Sequence, residues 1–138
     1  MSIVDRLKKI AQQKAIKARV GIIEPMTYPD GESVAEVGYW NEYGTDAIPP
    51  RPFFRTAVEN NRDKLGPMFV RAVQKHEPEA AMRMVCEHMV DELKTSVLTW
   101  TDPPNAPSTI KAKGYNSPLR GPDKLLRNSF SYEINQDD

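Results

Sequence analysis

The chain has 138 residues, with 19 basic and 19 acidic side chains that cancel to a formal charge of zero. This length suits one domain over residues 1–138, and no apolar run approaches the ~20 residues that cross a bilayer, so we expect a cytosolic protein without a membrane partner. The single cysteine, Cys86, excludes an internal disulfide, and its apolar neighbours predict a buried thiol.

The first predicted elements are a helix and a hairpin. Residues 1–18 are predicted to form the helix, with Ser2 as its N-cap and Ile3, Leu7 and Ile10 recurring at helical spacing. Residues 19–24 are predicted to form a strand, because the run is short and apolar. After a turn, the valine- and aromatic-rich residues 33–40 are expected to return beside it.

The next segment is a turn followed by a stiff loop. Gly44 is predicted to end the second strand, because glycine adopts positive φ without a Cβ penalty. Pro49, Pro50 and Pro52 restrict the loop and favour an extended course over residues 48–51. Pro52 suits the first turn of a helix that begins there.

Two helices are predicted from this point. The first continues to Leu65 and is expected to kink or break at Gly66-Pro67. The second begins at Pro78 and carries the clearest helical stripe in the chain, at Met82, Val85, Cys86, Met89, Val90, Leu93 and Val97.

The C-terminal part is predicted to contain a long loop and a strand. Residues 99–122 hold five of the chain's 12 prolines, which predicts a long Pro-rich loop. Phe130, Tyr132 and Ile134 alternate with polar residues, as in a half-buried strand. The predicted fold is therefore α+β: a small, mostly antiparallel sheet with helices packed on one face and the long loop before the last strand.

Two segments resemble one known family. The first is a strand followed by Asn41-Glu42-Tyr43-Gly44-Thr45 and then by Ile48-Pro49-Pro50-Arg51-Pro52-Phe53-Phe54 at a helix start. The second comprises residues 107–114 followed by residues 125–134. Together they resemble the tail-completion (neck, or head-tail joining) proteins of long-tailed double-stranded DNA bacteriophages. The likeness covers residues 34–134, with one departure: Pro118-Leu119 continues into residues 120–124 without the family's Asp-Thr-Gly-like turn.

The resemblance implies a non-enzymatic virion protein without a cofactor. Such a protein is located in the neck or tail, and in the host cytoplasm during assembly. It implies a ring, hexameric if it follows tail symmetry, whose partners are other copies, the head-connector or adaptor protein, and the tail terminator or tail tube protein. The stiff arm after the second predicted strand is expected to grip a neighbouring copy. The predicted interface residues are Asn41, Glu42, Tyr43, Gly44, Ile48, Pro49, Arg51, Pro52 and Phe53.

Charge is unevenly distributed along this neutral chain. Residues 1–19 contain six basic residues and one acid, whereas residues 20–50 contain six acids and no base. This division favours head-to-tail docking of identical subunits, or reflects solvated faces. Candidates to face DNA that passes non-specifically are Lys8, Lys9, Lys14, Lys111 and Lys113. The alternatives are a DNA-binding accessory protein and a tail terminator-type ring protein.

Signatures of catalysis are weak in this sequence. It has no phosphate-binding glycine loop, nucleophile elbow or zinc-ligand spacing. His76 is expected at a helix end, and His88 on the polar side of the last long helix. Glu42 and Asp46 are expected to be solvent-facing caps. An enzyme would instead show a pocket containing groups whose pKa values are strongly shifted by burial.

Overall fold

The structure is a computed structural model that describes residues 2–12, 16–113, 118–119 and 124–136. Over these ranges the chain forms six helices and two strands, and the predicted α+β class is confirmed. In chain order they are α1 (Ile3–Gln12), β1 (Ile16–Ile22), α2 (Val34–Tyr43), α3 (Phe53–Val73), α4 (Pro78–Thr99), α5 (Pro107–Lys113), α6 (Leu125–Asn128) and β2 (Phe130–Gln136).

The sheet joins the beginning and the end of the described chain. β1 pairs antiparallel with β2, which places Val20 opposite Tyr132 and Ile22 opposite Phe130. The predicted last strand is therefore present, but its partner is β1. The helices pack against this two-stranded sheet.

The predicted hairpin is wrong, because residues 34–43 form helix α2. Ser33 caps this helix: its side-chain oxygen accepts a hydrogen bond from the Glu36 backbone N–H at 3.3 Å. Val34, Gly38 and Glu42 are buried at intervals of four residues, which is helical spacing. A valine- and aromatic-rich run favours a strand only where a neighbouring strand is available, and β2 pairs with β1 here.

Helix α1 is shorter than predicted. Ser2 caps it as expected, since its hydroxyl accepts from the Asp5 backbone N–H at 3.2 Å and donates to the Asp5 carboxylate at 2.8 Å. The helix ends at Gln12, and the predicted end near residue 18 is wrong because Ala18 lies in β1 opposite Ile134. β1 likewise begins and ends earlier in the chain than the predicted strand.

Helix α3 continues through Gly66 and Pro67 without a break. Gly66 has no Cβ to crowd the proline ring, which removes part of the usual conflict between a proline and the residue before it. Both residues are exposed, so water can bind the backbone group that Pro67 leaves unpaired. A proline in this helix is therefore tolerated on its solvent side.

Helix α4 is the centre of the core. Pro78 occupies its first turn, as predicted. The predicted stripe is buried except for Met82, which is partly exposed, and it packs against α3 on one side and against both strands on the other. The main core cluster combines Leu93 and Val97 of α4 with Val34, Phe53 and Phe130.

The predicted long loop contains structure of its own. Residues 107–113 form α5, and Leu119 is buried in the main core cluster. Residues 120–123, where the sequence departs from the phage family's turn, lie outside the described residues. None of the helices that the structure describes is long and apolar enough to cross a membrane.

Candidate assembly interface at the junction of α2 and α3

Glu42 stabilises the start of α3 from inside the protein. Only 5% of this residue is exposed, and its carboxylate accepts hydrogen bonds from the backbone N–H groups of Phe54 at 2.9 Å and Arg55 at 3.0 Å. Those are first-turn donors without a partner in the helix, and Pro52, the residue before α3, has no side chain that can cap them. Glu42 is thus a cap, as predicted, but a buried one.

The side chain of Arg55 also binds Glu42. Its Nε donates to the Glu42 carboxylate at 2.9 Å, and its Nη2 donates to the Glu42 backbone carbonyl at 3.1 Å. Its guanidinium also lies 4.7 Å from the ring centroid of Tyr43, within the range of a cation–π contact. The last turn of α2 and the first turn of α3 are therefore held together by one ion pair.

Gly44 allows the chain to reverse between the two helices. Its φ is +78°, and its N–H closes α2 by donating to the Trp40 carbonyl at 2.7 Å. A Cβ here would lie 2.8 Å from the backbone nitrogen of Pro50. Glycine is required because an L side chain would be strained in φ and would overlap the proline loop.

Arg51 anchors the proline loop to its own subunit. The residue is 8% exposed; its Nε donates to the Pro103 carbonyl at 2.8 Å and its Nη2 to the Pro104 carbonyl at 3.0 Å. Burial lowers the pKa of this guanidinium from its usual value. In addition, the Arg51 backbone N–H donates to the Asn41 carbonyl at 2.6 Å. The loop is therefore fixed at its end by contacts within the chain.

The predicted interface residues divide into two groups. Glu42, Gly44, Arg51 and Phe53 act within the subunit, since they cap α3, turn the chain, hold the loop and fill the core. The other five are accessible to different extents: Tyr43 and Pro49 are exposed, and Asn41, Ile48 and Pro52 are partly exposed. These five residues and the partly exposed Gly44 present accessible surface to another chain.

The junction also presents aromatic surface that the sequence interpretation missed. Tyr39 is 63% exposed and Tyr43 52%, with ring centroids 4.7 Å apart, and Trp40 is exposed beside them. The sequence prediction places Tyr39 and Trp40 in a strand and Tyr43 in the turn that follows, so it does not show that the two tyrosines share a helical face. The i, i+4 spacing of the two tyrosines was the signal that could have shown it.

Beside these rings lies a groove of about 260 Å³, which we call the α2 groove. Its floor combines Gly38 of α2, Ile22 of β1 and the phenylalanines that begin α3. The lining residues are Ile22, Ala35, Gly38, Tyr39, Glu42, Tyr43, Phe53, Phe54, Arg55 and Phe130. Exposed apolar surface around a concave site is typical of a binding surface.

The predicted DNA-facing lysines lie on different elements. Lys8 is exposed on α1 and Lys111 on α5, whereas Lys9 forms an ion pair with Glu77 at 3.0 Å. Lys113 is the last residue of α5, and Lys14 lies outside the described residues.

The two histidines and the single cysteine differ in exposure and in their contacts. His88 is half-buried; its Nε2 shares a hydrogen bond of 2.9 Å with the amide oxygen of the buried Asn61 and lies 3.8 Å from the Glu92 carboxylate. His76 is exposed after the end of α3, and burial raises the pKa of the Cys86 thiol. No cluster of three potential metal ligands occurs among the residues that the structure describes.

Comparison with protein-family models, with curated proteins and with solved structures finds no match to this chain.

Proposed function

We propose that this protein is a structural subunit of the neck of a long-tailed bacteriophage. Copies of it form a ring that completes the tail for attachment to the head connector and leaves a passage for DNA. The proposal combines the family resemblance of residues 34–134 with the surface that the α2–α3 junction presents. A tail terminator-type ring would use the same surface.

The observation that carries the proposal is the group of exposed aromatic side chains at this junction, beside a backbone held by buried hydrogen bonds. The Glu42–Arg55 pair, Gly44 and Arg51 fix the backbone around Tyr39 and Tyr43 before any partner binds. A surface held in its bound geometry loses little conformational entropy on association. Aromatic residues are also enriched at the centres of protein–protein interfaces.

A ring places a specific demand on such a surface. Each copy must bind a different patch on its neighbour, so the contact is heterologous and must close after a full rotation. Six copies of the 15.6 kDa chain give a particle of about 94 kDa. Light scattering coupled to gel filtration measures this mass directly.

The function is tested by removing the protein from phage assembly. In infections by a phage whose copy of this gene carries a stop codon, we expect DNA-filled heads and finished tails that remain separate. Adding the purified protein to that lysate should restore joined particles and infectivity. Joined, infectious particles in its absence would overturn the proposal, as would failure of the purified protein to restore them.

The DNA-binding alternative predicts a different measurement. An accessory protein that binds DNA by itself would do so with an affinity that falls steeply and log-linearly with salt concentration. Unjoined heads and tails together with weak, salt-insensitive DNA binding support the neck assignment.

A further inference from the structure

Helix α1 is attached to the protein by its polar side. Arg6 donates to the backbone carbonyl of Val73 at 2.8 Å and to that of His76 at 3.3 Å, while Lys9 pairs with Glu77. Arg6 thus binds carbonyls at and just beyond the C-terminal end of α3, where a cation is favoured. The helix therefore rests on charged and polar contacts.

The apolar side of α1 consequently points away from the core. Ile3, Val4 and Leu7 are each about half exposed, although they form one stripe on the helix. A surface helix of a globular protein ordinarily buries this stripe. The orientation of α1 is thus the reverse of the usual one, and the stripe is free to bind another surface.

The same chain has a second accessible apolar surface, the α2 groove. The exposed Tyr39 and the partly exposed Phe54 line this groove, and the neighbouring exposed face of α2 carries Glu36. Of the bases on α1, Lys8 is exposed, whereas Arg6 and Lys9 hold the helix to the end of α3. Arg55 is the cation that lines the groove, and Glu42 already neutralises it. The two apolar surfaces therefore carry exposed charges of opposite sign beside them, Lys8 on α1 and Glu36 on α2.

The two surfaces are too far apart to meet within one subunit. α1 is bound at Val73 and His76, at the C-terminal end of α3, whereas the groove lies at Phe53 and Phe54, at its N-terminal end. A helix of 21 residues is about 30 Å long. An α1 that keeps its contacts with α3 can reach only the groove of another copy.

We propose that the apolar stripe of α1 docks into the α2 groove of the next subunit. This inference rests on the proposed ring function, and the contact would be the head-to-tail interface of that ring. Ile3 and Leu7, one helical turn apart, enter the groove beside Tyr39. Lys8, at the edge of the stripe, then lies towards the acidic segment of the neighbouring copy.

A heterologous contact of this kind can be tested by mixing two defective proteins. Leu7→Asp destroys the α1 surface and leaves the groove, and Tyr39→Asp does the opposite. Each variant alone should be monomeric, whereas an equimolar mixture should form a 1:1 dimer of about 31 kDa, twice the 15.6 kDa chain. Circular dichroism spectra that match the unmodified chain confirm that each variant is folded. If the unmodified chain forms oligomers, a mixture of the two variants that remains monomeric, or oligomers that Leu7→Asp leaves unchanged, would overturn the proposal.

Disulfide capture covers the case in which the unmodified chain does not assemble in solution. In a Cys86→Ala background, Leu7→Cys protein mixed with Tyr39→Cys protein should give more heterodisulfide than random collision gives. Gln12→Cys, on the opposite side of α1, replaces Leu7→Cys as the matched control, and Asp63→Cys, exposed on α3, replaces Tyr39→Cys. Equal yields from the test pair and the control pairs would also overturn the proposal.

The outcomes separate this contact from the proposed function. If the contact fails but the unmodified chain still joins heads to tails, the interface is wrong and the neck function stands. If the 1:1 dimer forms but the unmodified chain does not join heads to tails, the contact stands and the neck function is wrong.

Discussion

The α2–α3 junction and helix α1 use charged and apolar side chains in opposite ways. At the junction, the charged Glu42 and Arg51 are buried and satisfied by backbone groups. On α1, charged side chains make the attachment and apolar ones are exposed. The junction holds one geometry, because a buried charged group is stable only with its specific hydrogen-bond partners. Helix α1 instead leaves its apolar stripe available for binding.

The largest effect is expected from removing the buried carboxylate of Glu42. Glu42→Ala leaves the first-turn N–H groups of α3 and the Arg55 guanidinium without their acceptor, so we expect a loss of about 4 kcal/mol in the free energy of unfolding. Urea denaturation measures it. Glu36→Ala, on the exposed side of the same helix, is the control and should change stability by less than about 0.5 kcal/mol. Similar losses for the two variants would show that Glu42 is not a structural cap.

A somewhat smaller effect is expected at Gly44. Gly44→Ala combines a strained positive φ with an overlap of the new Cβ with Pro50, and should cost about 3 kcal/mol. Gly31 also has positive φ, at +91°, but has no atom within 4 Å of a built Cβ. Gly31→Ala therefore isolates the backbone strain and should cost about 1 kcal/mol by the same denaturation assay. Equal costs would mean that the loop moves to accommodate the methyl group.

The third largest loss of stability is expected from replacing Arg51, which anchors the proline loop. Arg51→Ala removes both hydrogen bonds to the residue 103–104 backbone, and we expect a loss of about 2 kcal/mol together with faster hydrogen exchange in residues 105–113. Arg51→Lys should recover only part of this, because lysine lacks the planar fork that reaches two carbonyls. Arg62→Ala, which breaks an exposed ion pair with Glu59, is the matched control and should be almost neutral. Faster exchange in that control as well would argue against a specific anchor.

The smallest effect on the isolated subunit is expected on α1. Leu7→Gln should change the free energy of unfolding by less than about 0.5 kcal/mol at low protein concentration, because the side chain is already half exposed. Leu93→Ala, at a fully buried leucine in α4, should cost about 3 kcal/mol in the same assay. A large loss for Leu7→Gln would mean that the stripe packs within the subunit, and the contrast between the two regions would disappear.

The elements that were predicted correctly are those whose signal is local. The α4 stripe repeats over about four turns, and one proline and one serine mark the starts of α4 and α1. The α2 segment was misassigned because its composition suits a strand as well as a helix. The choice depends on whether a neighbouring strand exists, and the partner of β1 lies more than 100 residues further along the chain.

The junction shows the same division between local and distant information. The sequence predicted that Gly44 adopts positive φ, because turn preferences depend on near neighbours, whereas for Glu42 it predicted a solvent-facing cap and not a cap of α3. It did not show that Glu42 is buried, or that Arg51 holds the backbone at residues 103–104. Those roles depend on segments that meet only after folding.

The amino-acid sequence by itself determined the α+β class, the core stripe of α4, the capped start of α1 and the glycine turn at residue 44. Only the tertiary structure decided that β1 pairs with β2, that residues 34–43 are helical and that the apolar side of α1 faces outward. The reason is physical. Helical periodicity, caps and turns are fixed by residues within a few positions of one another, whereas strand pairing and the orientation of a helix depend on which distant surfaces are left to cover.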